Sequence, residues 1–325
     1  MRSALAILAL TAACNAQPHP AGDDSGDDAG PTGDSGLDPD AGPGVDAPPN
    51  TACPTWCMET PPAGTSARLS AVWAVNGNDV FAVGDAGTIV RRQNNTWTTM
   101  TSGTTANLRG VWGAAENDVW AVGEGGTILR FNGSSWAPVT GITTSDVAAV
   151  WGSSASNVWL AATSKMYHWN GSAWSNTTVV GSMQGLSGTG PNDIWLATEG
   201  AYLKHYTGST WPTVMPTGGT PTVFAVLALS PTNVWSSSGP PGGEMLSYNG
   251  TSWTPTATSS AIFVSLYGTN ATDVWGVGGT KIGHWTGASW GVTVPTGVTM
   301  SLWGVHGVGP DVWAVGSGPT ILHHN

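Results

Sequence analysis

Four histidines recur at one register of this chain: His168, His205, His284 and His323, with Arg91, Arg130 and Ser247 at the same place in neighbouring segments. Imidazoles at a fixed spacing could ligate a metal or relay protons. Metal ligands must converge within about 2 Å of one ion, whereas these residues sit in separate repeats. They are expected on a solvated strand face or between repeats, and neither a shared metal centre nor a cofactor is expected. A second set, Asp85, Glu124, Glu199 and Glu244, falls in short turns. Paired carboxylates can hydrolyse glycosides, but these four also come from different repeats, and short acidic turns are ordinary solvated surface. Tyr202 is an aromatic residue off the repeat pattern. Together, Asp85, Glu124, Glu199, Tyr202 and Glu244 are the candidate binding residues, and none is assigned a catalytic role. The sequence has no nucleophile elbow, phosphate loop or His-Glu-x-x-His motif.

The elements that must position these residues come from a seven-fold phrase: Asp79-Val80-Phe81, Asp118-Val119-Trp120, Asn157-Val158-Trp159, Asp193-Ile194-Trp195, Asn233-Val234-Trp235, Asp273-Val274-Trp275 and Asp311-Val312-Trp313. Successive copies are 39, 39, 36, 40, 40 and 38 residues apart. In the second copy, Leu108–Gly113, Val119–Gly123, Thr127–Phe131 and Ser135–Val139 read as short strands rich in Val, Ile, Trp and Thr, divided by Gly and Asn turns. Asn132-Gly133 marks a hairpin, because both residues tolerate the positive φ of a type I′ turn. Four such strands repeated at this period make the blade of an all-β, seven-bladed β-propeller. Most of the nineteen tryptophans hold equivalent positions, so packing between blades accounts for them better than sugar stacking does.

The seventh copy ends at Ile321–Asn325, after its third strand. Thr55-Trp56-Cys57-Met58 matches the missing fourth strand, so the N-terminal strand is expected to complete the last blade. That closure removes two free sheet edges. Cys53 and Cys57 flank Trp56 and are expected to form a disulfide that pins the seam strand. Two free thiols and a redox pair are the alternatives.

Residues 1–13 read as an export signal: Met1-Arg2, the apolar run Ala4–Leu10, then Thr11-Ala12-Ala13 before Cys14. The pattern resembles bacterial lipoprotein signals, which implies acylation of Cys14 and, with Asn15 following, anchoring at the outer membrane or cell surface. Residues 14–52 follow as a tether: after Cys14 they hold eight Asp, no Lys or Arg, and much Gly, Pro and Ala, a composition that cannot bury a core. Such a flexible chain reaches roughly 35 Å on average. Residues 53–325 form the head. The chain carries net charge −11, of which the head holds −4. A mildly acidic head argues against nucleic acid, which needs a basic stripe.

The run Val111-Trp112-Gly113 … Asn117-Asp118-Val119-Trp120-Ala121-Val122-Gly123-Glu124-Gly125-Gly126 … Asn132-Gly133-Ser134-Ser135-Trp136 resembles the repeat of myxobacterial-type propeller lipoproteins, grouped with the Asp-box (BNR) and photosystem II assembly factor-like superfamilies. At Trp169-Asn170-Gly171-Ser172-Ala173-Trp174, Trp169 stands where a true Asp-box has Asp. The resemblance implies a propeller on a lipid anchor and little about chemistry. The expected function is a monomeric, non-catalytic binding or scaffold module for protein or glycan, attached to the membrane by its lipid. A divergent Asp-box-type glycan hydrolase and a purely structural surface protein are the alternatives.

Overall fold

The structure is a computed structural model and describes residues 56–199, 202–214, 222–239, 243–256 and 261–325. Twenty-eight strands form seven four-stranded antiparallel sheets, and six of these take their strands in chain order. Blade 2 is typical, with strands Leu108–Ala115, Asp118–Gly123, Ile128–Phe131 and Trp136–Pro138. Blade 7 differs: its strands Leu302–Val308, Asp311–Gly316 and Ile321–His324 are completed by Cys57–Met58. There Cys57 pairs with His323 and Met58 with Leu322, and the Glu59 amide donates to the Ile321 carbonyl at 2.9 Å. The first strand of blade 1 packs on the first strand of blade 7, so the ring is closed. The head is a seven-bladed β-propeller.

The seam strand is two residues long, shorter than expected; Thr55 and Cys53 lie outside the described residues, as does Cys14. Cys57 is buried and disulfide-bonded, with its partner outside the described residues.

Each second strand is buried almost throughout because it lies between two sheet neighbours and two adjoining blades. In most blades its aromatic residue meets two rings of the next blade, one on the third strand and one on or just before the fourth. Trp159 meets Tyr206 and Trp211; Trp195 meets Tyr248 and Trp253; Trp235 meets Trp285 and Trp290. Phe81 meets Phe131 and Trp136 in the same way. Where the seam strand joins, Trp275 meets His324 and Trp56. Edge-to-face and tilted rings about 5–6 Å apart are the favoured aromatic arrangement, each pair adding roughly 0.5–1.5 kcal/mol beyond area burial. The tryptophan repeat is therefore the glue between blades.

The first strands line a central channel. They approach closely because one register of these strands holds only small residues, Ala71, Gly110, Ala149, Gly185, Ala225, Ser265 and Gly304: a Cβ on Gly304 would lie 2.9 Å from the Ala71 Cα, and one on Gly110 3.4 Å from the Ala149 Cα.

Candidate functional site

The recurring phrase builds a clasp inside several blades. Trp195 and His205 are cross-strand partners, so their side chains share one sheet face. The rings stack at 3.9 Å and 12°, and Asp193 Oδ1 accepts from the indole Nε1 at 3.1 Å and meets His205 Nε2 at 2.6 Å. Blade 6 repeats this with Asp273, Trp275 and His284. In blade 3 Asn157 replaces the carboxylate, and in blade 1 Arg91 replaces histidine, holding both Asp79 oxygens at 2.7 and 2.6 Å. His168, His205 and His284 are thus intrablade supports, each imidazole meeting the Asp or Asn of its own blade, and His323 meets Asp311 at the same register. This explains why the phrase needs an acceptor two residues before the indole. Among the described residues no group of three or more His, Cys, Asp or Glu is placed to hold a metal.

The open concave site is the channel mouth, on the face where the second-to-third-strand turns gather. It is a bowl of about 460 Å³ lined by residues that include Arg68, Ser70, Arg109, Asp146, Gln184, Phe224 and Trp303, opening into a channel of about 360 Å³. Backbone geometry sets the turns over its rim. The Asp85 amide donates to the Arg68 carbonyl at 2.9 Å and the Glu124 amide to the Asn107 carbonyl at 3.0 Å. Gly84 and Gly123 come before these residues because a Cβ there would strike those same carbonyls. Each acidic turn therefore sits beside the strand that enters the channel. Arg68 donates to Asp85 at 2.9 Å, and its guanidinium lies 5.2 Å from the Trp303 ring. Arg109 donates to Glu124 at 2.6 Å and lies 3.8 Å from Asp146.

These ion pairs are more than a third exposed, so water screens them and each adds at most about 1 kcal/mol to stability. They do hold two guanidinium groups at the rim. Trp303 is 37% exposed, its ring beneath the Arg68 guanidinium and its indole donating to Ser317 Oγ at 2.9 Å; Phe224, Val264 and Met183 also line the bowl. The bowl thus combines guanidinium groups with aromatic and aliphatic side chains. Deeper in, Trp73, Trp112, Trp151, Tyr267 and His306 narrow the channel. His306 Nδ1 accepts from the Ala74 amide at 3.1 Å, and burial pushes this imidazole down to about 3, so it is neutral at ordinary pH and ties blade 7 to blade 1.

Of the sequence candidates, Asp85 and Glu124 stand at the mouth through their arginines. Glu199, Tyr202 and Glu244 are exposed on other blades and do not line the bowl. Sequence reasoning missed Trp303. Its signal was visible: it stands at the second position of a first strand where other blades have Ser70, Arg109, Ala148, Gln184, Phe224 and Val264, so it falls outside the repeated tryptophan positions.

No protein-family model and no curated protein matches the chain. Solved structures match its fold. YCF48 bound to D1 peptide superposes with a TM-score of 0.70 at 16% identity, covering 83% of this chain and 96% of that one. The WD40 propeller domain of Doa1 gives 0.70 at 14%, over 83% and 97%. Virginiamycin B lyase from Staphylococcus aureus gives 0.73 at 11%, over 82% and 98%. At such identities the likeness concerns the fold, and these propellers include one with a bound peptide and a lyase.

Proposed function

We propose that the head is a non-catalytic recognition module whose channel mouth takes a segment of a partner protein. The observation that carries this reading is the mixed lining of the bowl, which brings the guanidinium groups of Arg68 and Arg109 together with exposed Trp303 and with Phe224. Exposed aromatic and arginine side chains are the residue types that most often dominate protein binding energy. The peptide seen on YCF48 supports a polypeptide ligand over a glycan. The sequence supports the rest of the proposal: a myxobacterial-type lipoprotein acylated at Cys14 and held by its acidic tether at the outer membrane or cell surface.

The test is binding of full-length protein to peptide and glycan arrays, alongside Arg109→Ala and Trp303→Ala. Peptide binding lost in both variants, with unchanged melting, supports the reading. Glycan binding or binding indifferent to both variants contradicts it. Because a lyase shares the fold, turnover of any bound ligand is measured too, and turnover overturns the non-catalytic assignment. Cys14→Ser is expected to release the protein from membranes; unaltered membrane association contradicts the anchor.

A further inference from the structure

One junction in the ring is built differently from the others. Arg92 holds the third-strand position occupied by Phe131, Tyr206, Tyr248 and Trp285 elsewhere, cross-strand from the fourth-strand tryptophan Trp97. It faces Trp313 of blade 7 at 5.5 Å. Its Nε donates to Glu59 Oε2 at 3.2 Å and its Nη1 to the Gly77 carbonyl at 3.1 Å. The same Glu59 oxygen accepts from Trp97 Nε1. The other oxygen, Oε1, lies 3.2 Å from His323 Nδ1, within ion-pair range but off good hydrogen-bond geometry. His323 Nε2 lies 3.0 Å from Asp311 Oδ1. Glu59, Arg92 and His323 are all buried.

The imidazole of His323 therefore has a carboxylate at each nitrogen. His205 and His284 face one carboxylate apiece. A neutral imidazole carries a single N–H, so one of its nitrogens would turn a lone pair toward a carboxylate; the imidazolium presents a proton to both. Glu59 belongs to the segment just after the seam strand, Asp311 and His323 to blade 7, and Arg92 to blade 1. With His323 charged, the cluster holds two anions and two cations. Without that proton, buried Glu59 keeps only Arg92 as a counter-ion and Asp311 loses its cation, and uncompensated charge at a buried site is costly.

We propose that protonation of His323 latches the ring, holding the segment after the seam strand against both neighbouring blades, and that loss of this proton loosens the seam.

The groups facing His323 are Asp311 from the second strand of its blade, Glu59 from the seam segment, Arg92 from blade 1 and His324 from its own strand. His284 and Asp273 act on His324 from blade 6. Burial works against the imidazolium, but the hydrogen bond to Asp311 and the Glu59 carboxylate 3.2 Å away outweigh burial and Arg92, so the His323 pKa is raised above 6.5. Burial likewise opposes the Glu59 charge, yet His323, Arg92 and Trp97 hold its carboxyl below 4.5. The raised histidine contributes stability that is full below 6.5 and lost as pH climbs through its folded value. The lowered glutamate contributes stability that is full above 4.5 and lost as pH falls through its folded value. The latch is tightest between those limits and opens on the alkaline side first as pH rises from 6.

The test is a histidine side-chain NMR titration of the full chain, with amide exchange at Glu59 corrected for intrinsic rate. His323 is expected to carry both ring protons at pH 6, and Glu59 exchange to rise about tenfold relative to the Leu160 amide as His323 deprotonates. In Glu59→Gln the His323 pKa is expected to fall by about 1 unit or more. A neutral His323 at pH 6, exchange that ignores its titration, or a pKa unmoved by Glu59→Gln overturns the proposal. The wild-type titration decides the matter even if the variant does not fold.

Discussion

The junction between blades 4 and 5 and the junction between blades 7 and 1 do the same job with different materials. At the first, Trp195 packs on Tyr248 and Trp253. At the second, Trp313 meets the Arg92 guanidinium, and Glu59 from the start of the head fills the space beside Trp97. An aromatic trio gains its stability from area and ring geometry, neither of which depends on pH. A buried charge cluster holds only while every member keeps its charge. The repeat thus closes most of the ring unconditionally and leaves the join of the chain's two ends conditional on protonation.

This contrast can be broken at several places. Trp195→Ala removes a fully buried indole and should cost about 3–5 kcal/mol, equally at pH 5.5 and pH 8.5; urea midpoints at the two pH values check this. Glu59→Ala leaves Arg92 and His323 without their shared carboxylate and should cost about 3–5 kcal/mol at pH 5.5, with a smaller loss at pH 8.5. Equal losses at both pH values would remove the distinction between the junctions. Pairing Arg92→Tyr with Glu59→Leu rebuilds an apolar contact with Trp313; buried ion pairs replaced in this way are often neutral or stabilising. The double variant should flatten the alkaline fall in melting temperature and stay at or above wild type at pH 8.5. Asp193→Ala strips the acceptor from His205 and the Trp195 indole in a blade away from the seam and should cost about 1–2 kcal/mol, leaving the seam's response to pH above 6 intact. Arg109→Ala, at the exposed rim, should change stability by less than about 1 kcal/mol while weakening ligand binding at the mouth.

The blade count, the strand order and the closing role of Trp56-Cys57-Met58 were legible because they rest on local patterns, alternation and turn chemistry repeated seven times. The clasp was half legible. Asp193-Ile194-Trp195 and His205 were seen at fixed offsets, but only the cross-strand register shows that ring stacks on ring. What escaped were departures from the repeat. Arg92 is a charge at an aromatic position, and Trp303 an aromatic in a first-strand column of mixed character. Glu59 lies before the first repeat, with no copy to compare. Asp85 and Glu124 were found as acidic turns, yet their arginines, 17 and 15 residues earlier in the chain, come together with them only through the sheet. The candidate site and the seam cluster both lie where the repeat is broken, and single breaks have no periodicity to expose them.

Ring closure by the N-terminal segment is most directly tested by thermal unfolding of the full chain against a version lacking residues 56–59, both at pH 5.5. Loss of the seam pairing and its charge cluster should lower the melting temperature by on the order of 10 °C. A deletion that melts at the wild-type temperature would contradict a ring held shut by this segment.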